Sequence, residues 1–292
     1  MKQRLQDLLA KRAQCFVSGS KNEDMLHLYD PAMERKHRLM EKREAEIVRC
    51  AIKGQVVRKY ELEEHADIEY LVHYQFLIKQ NRWMYIEEQV EERRARFQSG
   101  ELVKDERVTA FETMEPKQQI ELERSVREKI SYEYDRIKAV RYAETWWNSY
   151  NPAFKTFKVD CTNFVSQCLY AGGIPMTGYP NRAKGWWMKN HNWSYSWAVA
   201  HSFRWYLSSA RVGLQAVEVS SPEQLIRGDV ICYDFEGDGR FNHTTIVVAK
   251  DQQGMPLVNA HTTNSRMRYW SYEDSTAYTP NIQYKFFHII DK

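Results

Sequence analysis

The sequence predicts an α+β chain in two parts, and three observations carry that prediction. Its 292 residues exceed the usual single-domain size. Composition shifts along it: up to about Lys138 it is dense in Glu, Arg and Lys, and after Tyr142 it is rich in Trp, Asn, Ser and Tyr. Hydrophobic spacing also switches from a helical period to a period of two. The expected division is an N-terminal α+β domain over residues 1–115, a helical linker over 116–141 and a second domain over 142–292, with the join between Gln98 and Tyr134.

In chain order, Leu5, Leu8, Leu9 and Phe16 recur at helical spacing, and Leu26, Leu28 and Tyr29 follow a turn at Gly19-Ser20-Lys21-Asn22. From Val56 the period becomes two. Ile68, Tyr70, Val72, Tyr74 and Phe76 alternate with their neighbours and predict a strand with one buried face. A turn at Gln80-Asn81 leads to a second long segment from Trp83 toward Phe97, and Ser99-Gly100 leads to a third from Leu102 to Phe111. Helices followed by a meander of long strands suggest a curled sheet. This order of elements resembles the NTF2-like fold, in which pairing with another chain is common, so a dimer through the N-terminal domain is an expectation.

Ile120 to Trp147 reads as helical, ended by Asn151-Pro152. Beyond it the pattern predicts a helix from Thr162 to Tyr170, a Trp-rich connection with a helix near Ser196 to Leu207, and strands at Val230–Tyr233, Thr244–Ala249, Leu257–Ala260 and Ile282–Ile289.

A formal net charge of +3 is small, and the basic residues from Glu87 to Arg96 are interleaved with acidic ones, which argues against nucleic acid as a partner. No apolar run reaches membrane-spanning length. The N-terminus reads as a charged amphipathic helix and lacks the apolar core of a signal peptide, which predicts a cytoplasmic chain. Five scattered cysteines without a CxxC pair predict reduced thiols and no zinc site.

The most informative stretch is Asp160-Cys161-Thr162-Asn163-Phe164-Val165-Ser166-Gln167-Cys168. A thiol attacks as the thiolate, and a helix N-terminus favours that charge. Cys161 stands at such a start, with Asp160 as the expected N-cap facing away from the sulfur. Cys168, two turns on, and Cys232, within an apolar strand, read as buried apolar side chains. His243 begins the strand after a polar hairpin, where an imidazole can act as base to a cysteine across a cleft. Its second nitrogen needs an acceptor. Asn259 and His261, two apart on one face of the next strand, both suit that place, with His261 slightly favoured. His191, His201 and His288 read as ordinary structural or surface residues.

At these residues the chain resembles the putative amidase domain family of spore-forming Gram-positive bacteria, itself similar to NlpC-type and CHAP cell-wall peptidases. Gly228-Asp229-Val230-Ile231, Asn242-His243-Thr244 and Asn259-Ala260-His261-Thr262 carry the likeness together with the cysteine stretch. It extends from about Tyr142 to the C-terminus. The resemblance implies a papain-like domain with a helix packed on an antiparallel sheet, Cys161 as nucleophile and His243 as base. Similarity to NlpC-type strands points to Asn259 as the orienter, whereas the amidase family's own pattern points to His261. A tyrosine before the cysteine binds the oxyanion in NlpC-type enzymes, and Tyr150 stands near that place. The implied substrate is a peptidoglycan stem peptide or related cell-wall amide, with no cofactor.

The sequence carries two other signals. Asp234, Glu236 and Asp238 have the spacing of the start of a calcium loop, but Thr245 stands where the closing Glu belongs, and a hairpin turn is the preferred reading. Trp186, Trp187, Trp193, Trp197 and Trp205 are expected to pack a core, with Trp193 and Trp197 on one helix, or to wall a cleft that stacks on substrate.

Overall fold

A computed structural model describes residues 1–19, 30–61, 65–108 and 131–291. The chain separates into two compact units, one of residues 1–109 with 263–265 and 272–276, the other formed by the remainder. Leu26, Leu28, Tyr29 and the expected helical turns before residue 131 lie outside the described residues.

The first unit begins with helices α1 (Lys2–Ser18) and α2 (Pro31–Lys42) and continues as strands β1 (Ala45–Glu61), β2 (His65–Gln80), β3 (Trp83–Gln98) and β4 (Glu101–Arg107). Each strand pairs antiparallel with the next. Strand β1 starts well before Val56, since Ala45, Glu46 and Ile47 already pair with Gln80, Lys79 and Ile78. The turn between β3 and β4 uses Ser99 (φ 50°) and Gly100 (φ 82°), two left-handed residues whose twist suits a two-residue hairpin. Helix α1 buries Leu5, Leu8, Leu9 and Phe16. Phe16 lies edge-on to Tyr74 and Phe76, at 5.7 and 4.8 Å between centroids. Helix α2 is started by Asp30, which accepts from the Ala32 N–H, and by Pro31 in the first turn.

Charges are also buried in this unit. Lys36 Nζ donates to Glu87 at 2.6 Å and to Asp274 at 3.0 Å. Arg12 and Arg93 share Asp105, which also accepts from the Tyr70 hydroxyl at 2.6 Å. The partners compensate one another's desolvation, as buried ions require.

The second unit holds helices α3 (Arg136–Trp146), α4 (Cys161–Ala171), α5 (Tyr195–Ala198) and α6 (Ala200–Ser209) and strands β5 (Met188–Lys189) to β12 (Gln283–Ile289). Helix α3 starts later than the hydrophobic spacing suggests, at Asp135, whose side chain accepts from the Lys138 N–H. Strands β7 (Ala216–Val219), β8 (Val230–Asp234), β9 (His243–Lys250), β10 (Pro256–Ala260), β11 (Ser265–Tyr269) and β12 lie in the order β11-β10-β9-β8-β12-β7. The short strands β7 and β11 are not marked by hydrophobic periodicity. Phe164, Val165, Cys168 and Leu169 of α4 share one core with Val230, Cys232, Ile246, Val248, Phe287 and Ile289 of the sheet. Cys168 and Cys232 are thus the buried apolar side chains expected of them.

Trp186, Trp187 and Trp197 are fully buried, whereas Trp205 is exposed. Trp193 does not share a helix with Trp197. It lies on β6 (Asn192–Trp193), outside the start of α5.

Candidate functional site

Helix α4 opens at Cys161, and the chain before it is tied down by one carboxylate. Asp160 Oδ1 accepts from the Phe157 N–H and from Asn163 Nδ2, both at 2.9 Å, and Oδ2 accepts from His261 Nδ1 at 2.8 Å. Asp160 therefore does not cap α4 with its side chain, contrary to the expectation from its residue type. A side chain from elsewhere takes that role. Thr262 Oγ1 accepts from the N–H of Asp160 at 2.8 Å and of Cys161 at 3.2 Å. Thr262 and Thr263 hold φ of 61° and 74°, a left-handed conformation that β-branched residues adopt at a cost.

The Cys161 sulfur lies 3.8 Å from Thr162 Oγ1, which in turn meets Thr244 Oγ1 at 3.1 Å. Cys161 is 1% exposed. Burial raises its pKa, the Thr162 hydroxyl and the Thr244 and Thr162 N–H groups act the other way, and Asp160 opposes the thiolate. Burial prevails over the helix terminus, so the resting group is a neutral thiol rather than the thiolate its position suggests.

His243 is the first residue of β9, directly before Thr244. Its ring lies 5.5 Å from that of Tyr233 and 5.9 Å from that of Phe235. Thr245, two residues on, also meets the Tyr233 hydroxyl, whereas Thr244, Ile246 and Val248 face α4. Strand alternation sets the two groups on opposite faces. Burial pushes the His243 pKa down to about 3, with Arg268 adding to the effect, so the ring is a neutral imidazole.

Asn259 and His261 project toward the helices, because Asn259 is the register partner of Ile246. Asn259 Nδ2 donates to Glu144 at 2.8 Å, and its Oδ1 accepts from the Met267 N–H. His261 Nε2 faces the Trp146 carbonyl at 2.8 Å, opposite the bond to Asp160, and its ring stacks on Phe164 at 4.1 Å. These bonds commit the polar groups of both residues on the helix face of the sheet. Tyr150 is 46% exposed and packs edge-on against His261 at 4.8 Å.

Sequence reasoning missed Thr244, Thr262 and the Asp160–His261 bond. Asp160 was legible only as a capping residue type, and a left-handed threonine leaves no trace in a hydrophobic pattern. In the Asp234–Asp238 hairpin the Asp234 carboxylate accepts from the N–H groups of Gly237 and Gly239 at 2.8 and 2.7 Å, a use proper to a turn. Among the described residues no cluster of His, Cys, Asp and Glu is arranged to hold a metal. No helix among them is long and apolar enough to cross a membrane.

Comparison with known proteins places this geometry in context. The model of a putative amidase domain matches residues 133–287, which include Cys161, His243, Asn259 and His261. "Uncharacterized protein YhbB" of Bacillus subtilis (strain 168) is 50% identical over 297 residues, covering 98% of this chain and 95% of that protein. "Uncharacterized protein YjcM" of the same organism is 33% identical over 140 residues, covering 45% of this chain and 31% of its own length. No solved structure matches the chain.

Proposed function

We propose, for a chain that belongs to the putative amidase domain family, a thiol-dependent amidohydrolase in which Cys161 is the nucleophile. The observation that carries this reading is the placement of Cys161 at the head of α4, its sulfur beside Thr162 and the Thr244 N–H and its helix entry locked by the Asp160–His261 bond. The thiol attacks the amide carbonyl as its proton passes to an imidazole. That proton then leaves with the amine as the C–N bond breaks. Water attacks the resulting thioester, releases the carboxylic acid and returns a proton to sulfur.

His243 is assigned as the base. Its ring is a neutral imidazole at the mouth of β9, and in this reading it turns from the face it shares with Tyr233 toward the head of α4. In this reading Asn259 or His261 orients His243 after a rearrangement of its present bonds, and Tyr150 serves the oxyanion. A second reading rests on the Asp160–His261 bond: a carboxylate on Nδ1 is the usual means of orienting a catalytic imidazole, which assigns the orienter to Asp160 and the base to His261 once its Nε2 leaves the Trp146 carbonyl. The resemblance described above favours a peptide amide of the cell wall as substrate. It also supports a papain-like reading of the second unit and, by order of elements alone, an NTF2-like reading of the first.

The test is digestion of purified peptidoglycan and of a peptide amide library by wild type, Cys161→Ala, His243→Ala and His261→Ala, with mass analysis of the products. Release by wild type but not Cys161→Ala supports the enzyme, and the histidine whose loss abolishes release identifies the base. Activity retained in Cys161→Ala sinks the thiol mechanism. Binding of wall fragments without release by wild type would instead mark a non-catalytic module.

A further inference from the structure

The stretch bearing the candidate nucleophile differs in charge from the rest of the chain. Between Glu144 and Glu218 it holds seven Lys and Arg against one acid, Asp160, although the whole chain has a formal net charge of only +3. That acid is buried, and its carboxylate is committed to Phe157, Asn163 and His261. Apart from histidine, every titratable side chain that this stretch presents to solvent with a charge at neutral pH is therefore a cation.

Two of these cations are held in place. Lys155 Nζ lies 4.2 Å from the Trp193 ring centroid and 5.7 Å from that of Phe157. The Arg182 guanidinium lies 4.5 Å from Trp193 and 4.9 Å from Tyr195, and its Nε donates to the Trp193 carbonyl at 3.0 Å. Attraction to the ring faces orders both side chains. Neither meets a carboxylate among the described residues, so Lys155 Nζ and the Arg182 Nη groups keep their donors for a ligand.

This aromatic and cationic cluster is joined to the first turn of α4. The Phe157 ring is edge-on to Trp193 at 4.9 Å, while its N–H donates to Asp160. The Lys155 carbonyl accepts from Asn163 Nδ2 at 2.9 Å, two residues after Cys161. The cluster thus adjoins the residues that fix the first turn of α4.

We propose that Lys155, Arg182 and Trp193 form a recognition shelf for an acidic peptide, an amide substrate with a carboxylate near the bond to be cleaved. The inference rests on the amidase reading for the reaction but not for the binding. The guanidinium offers a fork that matches a carboxylate, Lys155 adds a point charge, and Trp193 provides a flat apolar surface for the adjoining methylene groups. The cationic stretch that carries them raises the local concentration of anionic substrates.

Titration calorimetry of the full chain with N-acetyl-Glu-Glu and with N-acetyl-Gln-Gln-amide tests the shelf directly. Wild type is expected to bind the acidic probe at least tenfold more tightly, with the difference shrinking at high salt. The Lys155→Gln/Arg182→Gln double variant, with an unchanged Tm, is expected to lose the preference, and Lys155→Arg is expected to keep it. Equal affinities, no binding of the acidic probe, or a preference that survives in the double variant would overturn the proposal. Failure of the amidase reading shows separately, as absence of cleavage by wild type, and leaves the binding preference in place.

Discussion

The Asp160 carboxylate accepts from His261 Nδ1 at 2.8 Å across a separation of 101 residues. Both side chains are buried, and the bond joins the residue before the candidate nucleophile to the end of strand β10. Because the same carboxylate also holds Phe157 and Asn163, it sets the direction in which α4 begins. Asp160→Asn removes the charge and keeps one acceptor, so its Nδ2 replaces the oxygen facing either His261 or the Phe157 N–H and Asn163. The expected cost is about 3 kcal/mol in urea denaturation, the range for breaking a buried charged hydrogen-bond network. A loss under about 0.5 kcal/mol, the size of an ordinary surface substitution, would show that the bond does not organise the site.

His243 gives a pH dependence with a definite sign. Its folded pKa of about 3 lies below the value of about 6.5 for a free histidine. Between these two limits the unfolded chain binds a proton that the folded chain refuses. Its contribution is therefore fully present above pH 6.5 and is lost as the pH falls toward 3, by up to about 1.4 kcal/mol per unit. Urea titrations at pH 7.5, 6 and 5 on wild type and His243→Asn measure this, and identical slopes in the two proteins would refute it.

Thr262 supplies one oxygen to two backbone N–H groups. Thr262→Val keeps the shape and removes the acceptor, and about 2 kcal/mol of stability is expected to go with it. Thr262→Ser should stay within about 0.5 kcal/mol of wild type, since it keeps the hydroxyl. Thermal unfolding of the pair decides the point, and a valine variant as stable as the serine variant would contradict it.

Lys36→Met leaves Glu87 and Asp274 buried without their shared cation. Removing one partner of such a set costs about 3–5 kcal/mol. Guanidinium denaturation followed by tyrosine and tryptophan fluorescence reads the effect. Unchanged stability would mean that the network does not support the first unit.

The strands with full alternation were legible. The run from Ile68 to Phe76 became β2, with Ile68, Tyr70, Val72, Tyr74 and Phe76 all buried. The helix of Cys161 was legible too, from its apolar residues and the start signal at Asp160. Strands β7 and β11 were not, because four or five residues of mixed polarity bear no period that distinguishes them from loop. Nor was the helix over Trp193 and Trp197 correct, since spacing of four says nothing about the extended Ser194 that separates β6 from α5. In the site, residue types announced a cysteine and several histidines but not how those groups are shared out.

By itself the sequence determined the elements and the chemistry available: a cysteine at a helix start, a histidine at a strand start, and Asn259 and His261 on one strand face. Those follow from local spacing, which is read over a few residues. The tertiary structure alone decided that Cys161 rests as a neutral thiol, that His261 bonds Asp160, and that Thr262 caps α4. Desolvation and long-range hydrogen bonds depend on which segments meet after about a hundred residues of intervening chain, as between Asp160 and His261, and no local pattern encodes them.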